Sequence, residues 1–154
     1  ASLTEETIVQ QSISKSSICG NRRCTNTKCK ACDYIIEGTT IRSTHNNRTH
    51  KLTDNINCKT DNIIYLVTCK KCSKQYVGET GRSFCHRINQ HVSCIRLKKT
   101  TPIGLKHFSI IGIEKIKETT YSCTLRRNRE NTWQTILQTN HPLGINNLNL
   151  SLLR

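Results

Sequence analysis

The sequence predicts an α+β fold in which a small three-stranded antiparallel sheet is flanked by helices. Two short runs of β-branched and aromatic residues, 63–69 and 72–78, are typical of strands and are close enough to form a hairpin. Over residues 83–97 the apolar residues then recur with the period of a helix. Loosely alternating apolar residues at 110–116 predict a third strand, and residues 121–139 predict a second helix.

The predicted organisation begins with a polar stretch, residues 1–18, which we expect to be a connector or a poorly ordered start. Residues 19–61 hold five cysteines but few large apolar side chains, so we expect this extension to need a metal for stability. Short strands are possible in it near residues 34–36 and 39–43. The C-terminal part is residues 62–147, followed by a short leucine-rich tail at 148–154.

The predicted helices each have one apolar stripe. In the first, Phe84, Ile88, Val92 and Ile95 share a side. The run Thr100-Thr101-Pro102 ends this helix, and a short helical turn is expected through residues 107–108. In the second helix the expected core positions are Leu125, Trp133, Ile136 and Leu137. A turn is expected at residues 141–144.

The charge of the chain points to a polyanionic partner. The formal net charge is +14, and it is uneven: residues 1–62 contribute +3 and residues 63–154 contribute +11. A strongly basic surface favours nucleic-acid binding over an uncharged or acidic partner. The alternative is a solvated basic surface with no partner.

The ten cysteines are many for a chain with 34 % hydrophobic residues. They fit disulfides in a secreted protein or zinc in a reducing compartment. Close spacing, as in Cys69-x-x-Cys72, favours zinc, because two neighbouring thiolates can bind one tetrahedral ion. No signal peptide or long apolar run is visible, so we expect neither export nor a membrane span. The sequence contains no methionine, and we expect it to be part of a longer polypeptide.

Several polar residues lie where apolar ones are expected. Tyr65 and Tyr76 are on neighbouring predicted strands, so their hydroxyls can converge, and a tyrosine near a cation can act as a base. Arg87 is on the inward stripe of the first helix and needs an anion, such as a phosphate or an ion-pair partner. Glu130 shares a helix face with Trp133 and needs a metal or a salt bridge.

These residues, with Asn146 after a Pro-Leu-Gly turn, resemble the GIY-YIG nucleases in their order Tyr, Tyr, Arg, Glu, Asn. The version with a thiol pair between the two tyrosine motifs is similar to the endonuclease domain of Penelope-like retroelements. The resemblance spans residues 19–147, although Ile63 stands where the first family motif begins with glycine. It implies catalytic roles for the five polar residues and one Mg²⁺ or Mn²⁺ held by Glu130.

Some of these assignments have competitors. Arg82 is a second candidate for the catalytic arginine. Glu130 could instead pair with Arg126 or Arg127, and Asn146 could bind the phosphate, order the pocket or only form a turn. General DNA affinity is expected from further basic residues, namely Arg82, Lys98, Lys99, Arg126 and Arg127.

Two structural zinc sites are predicted. One set is Cys24, Cys29 and Cys32 with Cys58 as the fourth ligand, for which Cys19, His45 and His50 compete. The second set is Cys69, Cys72, His91 and His107, which would pin the hairpin tip to the first helix; the related retroelement endonucleases carry such a Cys-Cys-His-His set. The remaining thiols, Cys85, Cys94 and Cys123, are expected to be buried or spare.

The resemblance implies a metal-dependent endonuclease that nicks double-stranded target DNA to prime reverse transcription. A reverse transcriptase domain in the same polypeptide and a nuclear location would accompany that role. The alternative is a zinc-stabilised nucleic-acid-binding module without activity. A repair nuclease subunit of the same fold is a third hypothesis, but it would lack the cysteines between the two motifs.

Overall fold

The computed structural model of the chain describes residues 18–97 and 103–147. Two α-helices and seven strands are present in this part of the chain, with a 3₁₀ turn at Ala31–Tyr34 and another at Leu105–His107. The strands are β1 (Gly20–Asn21), β2 (Thr40–Arg42), β3 (Thr49–Lys51), β4 (Asn55–Ile56), β5 (Ile63–Cys69), β6 (Gln75–Thr80) and β7 (Phe108–Lys115). The helices are α1 (Phe84–Arg96) and α2 (Ser122–Leu137).

The central sheet has three antiparallel strands in the order β6-β5-β7. Tyr65 in the middle strand is opposite Gly78 on one side and Gly112 on the other. The predicted hairpin, the third strand and the α+β class are therefore confirmed. The predicted second helix begins and ends within two residues of α2, and the first helix matches α1 to within a residue.

The sheet separates two apolar clusters because alternate side chains of a strand point to opposite faces. Ile63, Tyr65 and Val67 lie on the face covered by α1, in what we call the α1-side cluster. Ile64 and Leu66 lie on the face covered by α2, in the α2-side cluster. The strand is nevertheless buried along nearly its whole length, which is why its sequence shows little alternation.

The extension (residues 19–61) packs against both faces of the sheet. Ile35 and Ile56 belong to the α1-side cluster, whereas Ile41 and Leu52 belong to the α2-side cluster. These four residues are buried, whereas Ile36 is exposed. A strand at 34–36 does not form; the 3₁₀ turn ends there, and Ile35 makes an isolated bridge to Ile110 of β7.

Both outer edges of the sheet are occupied by an asparagine side chain. Asn21 donates from Nδ2 to the carbonyl of Gly112 on β7 and accepts from its amide, both at 2.8 Å. Asn146 makes the same pair of bonds with Val77 on β6, at 2.8 and 2.7 Å. Each side-chain amide thus replaces a neighbouring strand at the middle of an edge.

The two helices are positioned by short-range signals. Ser83 caps α1, since its hydroxyl accepts a hydrogen bond from the amide of His86 at 3.2 Å. The stripe Phe84, Ile88 and Val92 is buried as predicted. On α2, Leu137 is buried but Leu125 is 41 % exposed, which corrects its assignment to the core. No helix in the described residues is long and apolar enough to cross a membrane.

Candidate active site

A polar cavity of about 390 Å³ opens between β6, α1 and α2. Its walls include Tyr76 from β6, Arg87 from α1, and Arg127, Glu130, Asn131 and Gln134 from α2. Three of the five residues predicted to be catalytic, namely Tyr76, Arg87 and Glu130, therefore face a common space. The cavity combines cations, a carboxylate and a phenol, which suits a charged substrate better than an apolar one.

Tyr65 connects Arg87 to His91 beneath this cavity. Arg87 donates from Nε to the Tyr65 hydroxyl oxygen at 2.9 Å, and the same oxygen is 2.9 Å from His91 Nε2. Gln90 holds the guanidinium as well, accepting from Nη1 at 3.0 Å. Because His91 follows Arg87 by four residues, both lie on the face of α1 that covers Tyr65. The arginine is thus fixed before any substrate binds.

Burial controls the protonation of these groups. Burial, followed by the charge of Arg87, lowers the pKa of His91 to about 3, so its imidazole is neutral at neutral pH. Burial raises the pKa of Tyr65 above its usual value of 10, so this phenol keeps its proton. Arginine can only donate. We therefore assign the Tyr65 proton to a hydrogen bond with His91 Nε2, which makes the imidazole the Nδ1-protonated tautomer.

The two tyrosines differ in access to the cavity. Tyr65 is fully buried, whereas Tyr76 is partly exposed and forms part of the cavity wall. Their ring centroids are 6.5 Å apart, and both rings lie beside that of His91. Burial raises the pKa of Tyr76, and the nearby charge of Arg87 acts in the opposite direction. A substrate in the cavity could reach Tyr76 directly but Tyr65 only through Arg87 and His91.

Glu130 lies on the cavity wall and accepts a hydrogen bond from Gln134 Nε2 at 3.1 Å. The neighbouring Asn131 lines the same cavity, and its side-chain amide contains an oxygen. Oxygen ligands, with few from the protein itself, are what Mg²⁺ prefers. The donor set at Glu130 therefore fits Mg²⁺ or the similar Mn²⁺.

The predicted DNA-binding arginines have different environments. Arg126 is paired with Glu79 at 2.6 Å and donates to Asn62, so it holds α2 against the sheet rather than facing solvent. Arg127 is exposed at the cavity. Arg82 is exposed beside His86, 3.2 Å away, and is not part of the cavity wall, which favours Arg87 as the catalytic arginine. Lys98 and Lys99 lie outside the described residues.

Asn146 and Gly78 support the site rather than contact the cavity. Asn146 is buried, and its Oδ1 also accepts from the Thr139 hydroxyl at 2.6 Å, so its amide oxygen is fully used within the fold. These bonds tie residue 146 to β6 and to Thr139. Gly78 leaves room for Tyr65, because a Cβ at position 78 would overlap the end of the Tyr65 ring.

Four thiols of the extension meet behind α1. In this thiol cluster the Sγ atoms of Cys24, Cys29, Cys32 and Cys58 all lie within 4.8 Å of one another. Cys24 and Cys32 are 3.6 Å apart, and Cys29 and Cys58 are 3.8 Å apart. Four sulfurs at 2.3 Å from a tetrahedral zinc ion would be separated by about 3.8 Å. The cluster could therefore hold zinc, with Cys58 as fourth ligand.

The other predicted zinc set is not assembled. Within residues 18–97 and 103–147, the thiol cluster is the only group of three or more His, Cys, Asp or Glu side chains whose ligand atoms are close enough to hold one metal ion. The Nε2 atom of His91 is 2.9 Å from the Tyr65 hydroxyl oxygen, and the imidazole ring packs beside that of Phe108. The carbonyl of His107 accepts a hydrogen bond from the Lys70 amide at the hairpin tip.

His91, predicted above as a zinc ligand, lies against both tyrosines of the candidate active site. The available signal was its spacing of four from Arg87, which puts both residues one helical turn apart on a single face. The nearby Cys-x-x-Cys favoured a metal-binding interpretation instead. The structure places His91 between Tyr65 and Tyr76, next to the candidate active site.

Comparison with known proteins gives one match. The family model of the GIY-YIG catalytic domain matches residues 61–142, slightly more than half of the chain. The matched region includes both tyrosine strands, α1, β7 and α2. Neither a curated protein nor a solved structure matches the chain.

Proposed function

Since the chain belongs to the GIY-YIG family, whose members are nucleases, we propose that it is a metal-dependent DNA endonuclease domain. The observation that carries this proposal is the shared cavity of Tyr76, Arg87 and Glu130. These groups can supply a proton acceptor, an anion-binding donor and a cation ligand, which are the requirements of phosphodiester hydrolysis.

Arg87 would bind the scissile phosphate. Its Nε and Nη1 atoms are held by Tyr65 and Gln90, and its guanidinium also lies beside the Tyr76 hydroxyl, so Arg87 presents a fixed positive charge to a phosphate in the cavity. A guanidinium fixed in this way needs no rearrangement as negative charge develops on the phosphate. Arg127, exposed on the same cavity, would contact a neighbouring phosphate.

Tyr76 would accept the proton of the attacking water, because it is the tyrosine of the pair that reaches the cavity. Tyr65 is then a positioning residue that holds Arg87 and His91. The raised pKa of Tyr76 makes its base form scarce at neutral pH. We therefore expect the nicking rate to increase as pH is raised from 6 to 9, and Tyr76→Phe to remove this dependence.

Glu130 would hold the divalent cation. When bound, Mg²⁺ or Mn²⁺ would neutralise charge on the phosphate and so favour departure of the leaving oxygen. Gln134, which donates to the Glu130 carboxylate, would keep that side chain directed into the cavity.

The finer biological role is a retroelement endonuclease that nicks target DNA and leaves a 3′ end for reverse transcription. The Cys69-x-x-Cys72 pair between the two tyrosine strands supports a Penelope-like type, and the net charge of +14 supports a double-stranded DNA target. This role includes a reverse transcriptase domain in the same polypeptide and a nuclear location.

A second candidate is a zinc-stabilised nucleic-acid-binding module without catalysis, which the thiol cluster and the basic charge favour. The two functions differ in one experiment. Supercoiled plasmid is incubated with the protein and Mg²⁺, Mn²⁺, Ca²⁺ or EDTA, alongside the Glu130→Gln variant. Endonuclease function predicts nicked circles only with Mg²⁺ or Mn²⁺ and only for the unsubstituted protein.

Binding of the plasmid without nicking under any of these conditions would support the binding module instead. The priming role needs a further step. Nicked plasmid is supplied to a reverse transcriptase with an RNA template, and extension from the nick is measured. Ends that cannot be extended without phosphatase treatment would contradict the priming role but leave the nuclease assignment intact.

A further inference from the structure

The N-terminal end of α1 rests on the backbone that carries one of the clustered thiols. The amide of Cys85 donates to the carbonyl of Cys58 at 2.6 Å, and the amide of Phe84 donates to the carbonyl of Thr60 at 2.8 Å. The first amides of a helix have no partner within the helix. The segment around Cys58 therefore supplies acceptors that the helix lacks, in addition to the Ser83 cap.

The thiol cluster also packs against α1 through side chains. Ala31 and Cys32, in the 3₁₀ turn at Ala31–Tyr34, share the α1-side cluster with Phe84 and Ile88. Tyr34, at the end of the same turn, packs on β7 instead, with its ring centroid 5.6 Å from that of Phe108. The polar segment from Cys24 to Lys30 is exposed except at its two cysteines. Apolar packing alone gives this segment little to hold it in place.

We infer that a zinc ion held by Cys24, Cys29, Cys32 and Cys58 fixes the N-terminal end of α1 and thereby sets the position of Arg87 against Tyr65. The sulfur separations are those of a tetrahedral thiolate site. Cys58 is the link, since its side chain joins the cluster while its carbonyl holds the helix. Arg87 lies two residues beyond Cys85, so a shift of the helix end moves the guanidinium.

The zinc content and the helix end are tested separately from nuclease activity, so failure of one proposal is distinguishable from failure of the other. Elemental analysis of the purified protein is expected to give one zinc per chain. Cobalt(II) added to the metal-free protein is expected to produce the intense visible bands of a tetrahedral thiolate site. Cys58→Ser should lose the zinc, while Cys94→Ser, an exposed cysteine on α1, should retain it.

Hydrogen exchange then reports on the helix. Removal of zinc by a chelator should reduce the protection of the Phe84 and Cys85 amides by about tenfold or more, because their acceptors lie beside Cys58. The Leu66 amide in the central strand is the internal control. If Cys58→Ser does not fold, the chelated unsubstituted protein provides the same comparison.

Two results would overturn the inference. The first is a purified protein without zinc that also gives no thiolate cobalt spectrum. The second is complete loss of zinc with unchanged protection at Phe84 and Cys85, which would make the metal a local element of the extension that does not act on α1.

Discussion

The extension and the C-terminal part of the chain differ in the length of their strands. The strands of the extension are two or three residues long, whereas the three strands of the central sheet have six to eight. The extension contributes the four clustered thiols and a few buried apolar residues to a structure whose helices both come from residues 62–147. Short strands do not form a stable sheet by themselves, so the extension depends on what it packs against.

The two regions also differ in what they contribute to the candidate site. Every residue lining the cavity comes from β6 onward, between Tyr76 and Asn147. The extension instead fills both apolar clusters and occupies the β7 edge. The C-terminal part thus supplies the groups proposed to act on the substrate, whereas the extension supplies packing contacts. Substitutions of side chains that line the cavity should change activity at nearly constant stability, whereas substitutions in the extension should change stability first.

The largest difference in nicking activity is expected between variants of Glu130 and of Glu37, an exposed carboxylate of the extension. Glu130→Ala removes the carboxylate proposed to hold the cation, so plasmid nicking should fall to the level of a protein-free control. DNA binding and the unfolding midpoint should change little. Glu37→Ala should nick normally. Normal nicking by Glu130→Ala would show that Glu130 is not part of the site, and the contrast with Glu37 would then be lost.

Arginines give the next largest contrast. Arg87→Ala should lower the nicking rate by about 10²–10³-fold, since it removes a fixed donor at the developing charge. Arg82→Ala, four residues before His86, and Arg22→Ala in the extension should each cost much less. Rates at saturating DNA separate catalysis from affinity. Equal losses for Arg82 and Arg87 would mean that both act only through general attraction to phosphates.

The two edge asparagines test the comparison at matched positions. Asn21→Ala and Asn146→Ala each leave one amide and one carbonyl of an edge strand without their partner, at a cost of roughly 1–3 kcal/mol in the free energy of unfolding. Urea unfolding measures this loss. Activity per folded molecule should fall only for Asn146→Ala, because β6 also carries Tyr76. A similar fall for Asn21→Ala would show that the extension does shape the site.

The last expected effect is a pH dependence of stability within the site. His91 has a pKa of about 3 in the folded chain against 6.5 as the ordinary value, so the unfolded chain takes up its proton first on acidification. The contribution of the neutral His91 imidazole to the free energy of unfolding is fully present above pH 6.5 and is lost as the pH falls toward 3. Urea midpoints of the unsubstituted protein and His91→Gln should therefore converge at low pH. Parallel curves would contradict the buried neutral imidazole.

The elements were predictable where a local pattern decides them. The hairpin and both helices follow from β-branched runs and a helical period, and Ser83 is a recognisable cap. The structure of residues 34–36 could not be predicted in this way. Their apolar run suggests a strand, but it forms the end of a 3₁₀ turn and a single bridge to β7. Leu125 fits the helical stripe of α2, yet its side chain is 41 % exposed.

Parts of the site were predictable for a different reason. Tyr76, Arg87 and Glu130 stand out because a charged or phenolic group occurs on an inward face, and the structure brings these three to the same cavity. The partner of Asn21 could not be predicted, since Gly112 is 91 residues away and the contact depends on the completed sheet. The different access of Tyr65 and Tyr76 likewise depends on how α1 covers the strands.

The asparagine side chains at the two sheet edges also bear on how the protein behaves at high concentration. An open edge strand is a template on which another chain can add a strand, which leads to aggregation. Here the central peptide of each edge, at Val77 and at Gly112, is already bonded to a side-chain amide. A second molecule would have to displace that amide before it could extend the sheet. The same two contacts that complete the fold thus protect the molecule from polymerising through its edges.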